Sequence, residues 1–209
     1  VISEHDREEA YREIEAAIHT GRQAFVICPR IDIGDEDDMP SLTATREALM
    51  RRFPGESIGI LHGELSPATK DVVMARFRDE RAYSILCATS VVEVGIDVPN
   101  ATCIVILGSD SFGLAQLHQF RGRVGRGEFA SCCILVTAST SDKVRRRLAA
   151  MEQIHDGFKL AEIDLEMRGP GELFGEQQSG RVAGSAVRGH DVRLVAEAQA
   201  VASKVLAKD

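Results

Sequence analysis

Three arginines, Arg121, Arg123 and Arg126, are interleaved with Gly122, Gly125 and Gly127 in the run QLHQFRGRVGRG. A guanidinium is a planar, permanently charged fork, and glycine lets a backbone come close to a ligand, so the pattern suits phosphate oxygens. A solvated basic turn would have the same composition. The second stretch with chemical potential is ATSVVEVGIDVPN. It follows the apolar run from Ser84 to Cys87 and so falls at the carboxyl end of an expected strand, where open parallel sheets bind ligands. There the Thr89 hydroxyl suits a phosphate, the Asp97 carboxylate suits a ribose hydroxyl, and Gly95 permits a close turn. Asp97 also reads as a plain turn former before Val98 and Pro99.

Missing motifs narrow the chemistry. The sequence has no GxxxxGK[ST] loop to cradle a triphosphate, no GxGxxG turn for a dinucleotide and no strand-end acidic pair suited to magnesium. The run from Asp35 to Asp38 is read as a solvated acidic loop. Six histidines are scattered without HExxH or Cys/His spacing, so no metal site is expected. Five cysteines (Cys28, Cys87, Cys103, Cys132 and Cys133) form no CxxC pair and read as buried free thiols. What remains is half of a phosphate site.

The elements that must position these residues follow from periodicity. Apolar residues at helical spacing from Asp6 to His19 and from Leu42 to Phe53 predict helices, and Ser66 with Pro67 predicts a capped helix through Phe77. Strands are expected at Phe25 to Cys28, Ser57 to Leu61, Tyr83 to Ala88, Ala101 to Leu107 and Cys132 to Val136. Alternation of this kind predicts an α/β fold with a parallel sheet wrapped by helices. Beyond Ser141 strand signals stop, and helices are expected at Asp142 to His155, Phe158 to Met167 and Asp191 to Ala207, with the glycine-rich run RGPGELFGEQQSG between the last two. The expected domains are therefore 1–140 and 141–209.

Charge is unevenly placed: residues 1–106 carry 11 basic and 19 acidic side chains, residues 107–209 carry 14 and 13. A nucleic-acid surface, if present, is local and mostly C-terminal. With 44% hydrophobic residues, no disulfide pattern, no apolar run of about 18 residues and no leader-like N-terminus, a cytoplasmic globular protein without a membrane partner is expected.

The same residues carry a family resemblance. SILCATSVVEVGIDVPNATCIVI resembles motif V, and FGLAQLHQFRGRVGRG motif VI, of superfamily 2 helicases and translocases; QAFVICPRI and ILHGELSP fit the motifs that precede them. FKLAEIDLEMRGPGELFGEQQSG resembles the translocation motif shared by RecG helicases and transcription-repair coupling factors. EVGIDVPNA and RGPGE resemble the RecG side of that pair, while GEQQSG leans slightly toward the coupling factor.

The resemblance implies a RecA-like second motor lobe (P-loop NTPase-like) up to residue 140, followed by a helical hairpin, loop and C-terminal helix that couple it to DNA. It implies that Arg123 and Arg126 reach the γ-phosphate of ATP, which the first lobe holds with Mg2+. Gly95 and Asp97 would line the nucleotide, and Gln119 would join the motif VI network. His62, Gly63 and Thr89 would face the DNA backbone. Arg147, Arg168 and Gln178 would convert lobe closure into movement on the duplex, with Arg147 and Arg168 hydrogen-bonded to the loop that holds Gln178. Without that family pattern, Arg147 reads as one member of the basic face Lys143, Arg145, Arg146, Arg147.

Ser90 and Phe120 stand where the family pattern suggests threonine and leucine. The first lobe and the fork-splitting wedge domain are the implied intramolecular partners. Neither is in this sequence, which is expected to be an excised fragment, inactive alone. The implied activity is ATP-dependent remodelling of branched DNA; a coupling-factor motor and a non-enzymatic DNA- or nucleotide-binding module are the alternatives.

Overall fold

The computed structural model describes residues 1–30, 40–93 and 97–168. Its elements run β1 (Ile2–Ser3), α1 (Arg7–His19), β2 (Gln23–Ile27), α2 (Leu42–Arg52), β3 (Ile58–Leu61), α3 (Pro67–Arg78), β4 (Ile85–Ala88), β5 (Ala101–Ile106), α4 (Leu114–Arg121), β6 (Cys132–Thr137), α5 (Asp142–Gln153) and α6 (Gly157–Arg168). Among the described residues the strands form one six-stranded sheet of order β1-β6-β5-β2-β4-β3. Every pairing in it is parallel. The fold is a RecA-like α/β sheet with flanking helices, in the class the sequence predicts. The chain divides into two compact units, Val1–Leu160 and Ala161–Asp209.

Local chemistry sets the helix starts. Ser41 accepts a hydrogen bond from the Ala44 amide at 3.2 Å, and Ser66 accepts one from Thr69 at 3.2 Å with Pro67 in the first helical turn. Each cap satisfies one of the four amides that a helix start leaves without an intrahelical acceptor. Gly21 ends the α1 region with φ +72°, a conformation that disfavours a side chain.

β2, β4 and β5 are buried along their whole lengths, as a parallel sheet covered on both faces requires. Alternate residues then feed two cores. Ala24, Val26 and Cys28 join Ala10, Ile14 and Ala17 of α1 with Leu42 and Leu49 of α2. Phe25, on the other face, meets the Phe77 ring of α3 edge-on at 5.0 Å between centroids. All five cysteines are free; Cys28, Cys87 and Cys103 are buried and Cys132 and Cys133 half-buried. Burial pushes the Cys28 thiol up to about 11 and the Cys133 thiol up to about 12, so both stay protonated near neutral pH.

Two elements were not expected from the sequence. β1 is two residues long and pairs Ile2 with Val136 and Ser3 with Thr137. α4 occupies Leu114–Arg121 and so takes up the first half of the stretch read as a phosphate loop or basic turn. The expected acidic loop at Asp35 to Asp38 and the expected helix from Asp191 to Ala207 lie outside the described residues. Among the described residues no helix is long and apolar enough to cross a membrane.

Candidate functional site

α4 decides where the arginines go. Leu114, Leu117 and Phe120 are buried at three-residue spacing and anchor one side of the helix. The Gly122 N–H caps its end by donating to the His118 carbonyl at 3.0 Å, and Arg123 N–H donates to the Phe120 carbonyl at 2.9 Å. The chain then turns at Gly125, whose φ of +79° lies in the left-handed region. Gly127 presses against the chain at Pro99; a Cβ there would stand 2.8 Å from the Pro99 carbonyl oxygen.

That close approach brings two distant stretches together. Arg126 Nε stands 3.8 Å from Asp97 Oδ1 and donates to the Gly122 carbonyl at 2.8 Å. Both contacts use Nε, and so leave the terminal fork, the part that grips phosphate, outside them. Arg123, half-buried, donates from Nε to the Gln119 carbonyl at 3.4 Å. Burial lowers the Arg123 pKa, the neighbouring Arg126 cation lowers it further, and Asp97 opposes them. An arginine nonetheless keeps its proton, so among the described residues two cations, Arg123 and Arg126, stand beside Asp97.

Of the residues expected around the nucleotide, Asp97, Gln119, Arg123 and Arg126 are thus gathered at one place. Gly95 lies outside the described residues. Arg121, the third arginine of the run, is directed elsewhere: its guanidinium donates to the Met151 carbonyl and, at 3.0 Å, to the Ile154 carbonyl. Its spacing from Leu114 and Leu117, seven and four residues, held the missed signal, because helical periodicity sets Arg121 on the same inward stripe as those buried leucines.

The residues expected to face DNA also converge. Leu61 and Ala88 are partners in the β3–β4 ladder, so His62 and Thr89 each take the next position at the sheet's carboxyl edge. The Thr89 amide donates to the Leu61 carbonyl at 3.1 Å. Gly63 is exposed, and Lys70 Nζ donates to its carbonyl at 2.7 Å. Nδ1 of His62 is buried without a hydrogen-bond partner among the described residues.

Arg147 projects from α5 toward the segment before α4 and donates to the carbonyls of Asp110 at 2.6 Å and Phe112 at 2.8 Å. Arg168 is the last residue of α6. Its side chain, Gln178 and the loop expected to join them lie outside the described residues. Also among the described residues, no group of three histidine, cysteine, aspartate or glutamate side chains is arranged to hold a metal.

The parallel sheet, the sheet-edge loops and the paired arginines together define a RecA-like helicase C-terminal lobe. Residues 7–128 match the helicase conserved C-terminal domain, and residues 154–209 match the C-terminal part of domain 3 of the ATP-dependent DNA helicase RecG. The chain belongs to the helicase conserved C-terminal domain family and is of the RecG type within superfamily 2. The RecG helicase of Synechocystis sp. is 46% identical over 181 residues, which are 86% of this chain and 22% of that protein. That of Bacillus subtilis is 43% identical over 201 residues, 94% of this chain and 29% of that protein.

Among solved structures, RecG bound to a three-way DNA junction aligns with a TM-score of 0.69 at 40% identity, covering 82% of this chain and 22% of that one. Dbp5 of S. cerevisiae, bound to RNA and ADP BeF3, aligns with a TM-score of 0.51 at 18% identity over 79% of this chain and 42% of that one, a likeness of fold alone. This chain therefore spans between about a fifth and a third of the curated relatives it matches.

Proposed function

We propose that this chain is the second motor lobe and translocation segment of an ATP-dependent helicase that remodels branched DNA. The observation that carries the reading is the meeting of Asp97 with Arg126 beside Arg123, in a sequence that has no phosphate-cradling GxxxxGK[ST] loop of its own. An arginine-bearing half-site without a cradle fits a polyphosphate held by another lobe. Two exposed or half-buried guanidinium groups beside Asp97 fit the terminal phosphates of ATP, with Mg2+ held by the first lobe. ATP supplies the phosphoanhydride bond whose hydrolysis drives the motor. On this side of the cleft Arg123 and Arg126 stabilise charge on the terminal phosphate, Asp97 orients Arg126 and accepts from the ribose, and Gln119 and Gly95 complete the lining.

The DNA-facing edge follows from the same sheet. His62, Gly63 and Thr89 stand side by side at the carboxyl ends of β3 and β4 and suit contacts to backbone phosphates, which position a protein on nucleic acid without reading sequence. Residues 1–140 form the lobe proper. Residues 141–209, with Arg147, Arg168 and Gln178, form the segment that converts closure of the lobes into movement. The junction-bound relative supports branched DNA as the substrate, and the relatives' greater length supports the first lobe and wedge as partners within one protein.

Two experiments test this reading. ATP hydrolysis by this chain alone, with or without forked DNA, is expected to be negligible, and to appear when a separately purified RecG first lobe with wedge is added. Robust turnover by the chain alone, free of contaminating ATPases, overturns the half-site. In the intact helicase, Gln178→Ala is expected to preserve DNA-stimulated ATP hydrolysis while fork unwinding falls. A parallel loss of both removes Gln178 from the coupling role.

A further inference from the structure

α4 carries a second set of contacts that the nucleotide and DNA sites do not use. His118 and Arg121 are three residues apart, so they share one face of this helix. Both reach the turn between α5 and α6. Arg121 donates its Nη1 to the Met151 carbonyl and its Nη2 to the Ile154 carbonyl at 3.0 Å, while His118 Nε2 lies 3.0 Å from the His155 carbonyl oxygen. Gly157 closes beneath the imidazole, where a Cβ would stand 2.9 Å from Nδ1 and Cε1. From α5, Arg147 returns two bonds to the Asp110 and Phe112 carbonyls just ahead of α4.

All five acceptors are backbone carbonyls. A backbone acceptor cannot swing aside as a side chain does, so displacement of one helix either moves the other or breaks several bonds at once. The carbonyls of Met151 and Ile154 belong to the end of α5, where helices leave acceptors without intrahelical donors and where a cation is favoured by the helix dipole. Arg121's fork is committed to that end, which removes it from the phosphate site that Arg123 and Arg126 serve. One short helix thus carries two functions. Its end and the loop after it present the arginines to the nucleotide, and the His118–Arg121 face grips the turn leading into α6.

We propose that His118 and Arg121 are positioning residues that transmit nucleotide-driven displacement of α4 to the α5–α6 turn. The inference rests on the reading of Arg123 and Arg126 as the ATP-facing pair. Its mechanical content is that α4 and the end of α5 move as one body, so that a shift at Arg126 reaches Met151 to Gly157 without passing through the DNA-facing edge at His62 and Thr89.

The test is the number of base pairs unwound per ATP hydrolysed on forked DNA, measured in the intact helicase. Arg121→Gln cannot span both carbonyls. It is expected to keep DNA-stimulated hydrolysis near the wild-type rate and to lower base pairs per ATP by about tenfold, a typical size for coupling between sites. Arg121→Lys, which keeps the charge and reaches one carbonyl, recovers part of the ratio. Gly157→Ala approaches the joint from the other side: its methyl displaces the imidazole and leaves α4 unaltered in sequence, so the ratio falls there too. It carries the test if Arg121→Gln does not fold.

A wild-type ratio in both variants overturns the proposal, as does a parallel fall of hydrolysis and unwinding. Arg126→Ala separates this inference from its foundation. Persistent hydrolysis in Arg126→Ala defeats the ATP-facing assignment itself, whereas lost hydrolysis in Arg126→Ala with an unchanged ratio in both Arg121→Gln and Gly157→Ala defeats only the transmission.

Discussion

Arg126→Ala in the intact helicase is expected to lower ATP hydrolysis by about 10³-fold or more, the range over which an arginine finger acts in phosphoryl transfer. Such a group meets charge that develops only as the phosphoryl group moves, so the loss falls on the rate rather than on nucleotide affinity. The fold survives the change. Arg126 and Asp97 retain 47% and 58% of their side-chain exposure, and at 3.8 Å their ion pair contributes about 0–1 kcal/mol to stability. Water satisfies Asp97 once its partner is gone. DNA binding, proposed for His62, Gly63 and Thr89, is expected to persist, because those residues stand at the ends of β3 and β4 rather than on the α4 loop. Arg126→Lys keeps the charge without the planar fork and should recover little. The check is steady-state hydrolysis on forked DNA beside DNA binding followed by fluorescence anisotropy; persistent hydrolysis removes Arg126 from the catalytic role, whereas loss of both signals indicates misfolding.

What the sequence revealed of this molecule depended on the range over which its residues interact. Strands β2, β4 and β5 are buried on both faces, so they stand out as continuous apolar runs. Ser41 and Ser66 cap helices within three residues of themselves, and Ser66 with Pro67 marked the start of α3 in the sequence itself. The pairing of Asp97 with Arg126 joins positions 29 apart through the glycine contact at Pro99. No periodicity reports such a contact, although the two stretches were singled out separately by residue type.

Arg121 shows the limit of that method. Composition groups it with Arg123 and Arg126, yet its acceptors are carbonyls 30 and 33 residues away, and every residue carries a carbonyl, so side-chain identity leaves no trace of them. β1 was illegible for another reason. Two residues make no period, and only the β6 ladder defines them as a strand.

A second large effect is expected at Phe120, where the family pattern suggests leucine. The ring is fully buried and meets Phe112 edge-on, with centroids 5.3 Å apart and an 86° interplanar angle. Phe120→Ala removes the ring from a fully buried site that collapses only in part, so the loss is about 3–5 kcal/mol. For a unit of this size that lowers Tm by on the order of 10 °C. Phe120→Leu keeps most of the apolar volume and gives up chiefly the edge-on aromatic contact, a loss of about 1 kcal/mol. The ratio between the two variants distinguishes a packed ring from a surface one, since an exposed position would make both changes nearly neutral. Denaturant unfolding of this chain measures it directly. The consequence extends past stability, because the Phe112 carbonyl is one of the two acceptors of Arg147. A cavity at Phe120 releases Phe112, and with it one end of the contact that ties α5 to the segment leading into α4. Phe120→Ala should therefore weaken unwinding at temperatures well below its own unfolding transition, whereas Phe120→Leu should not.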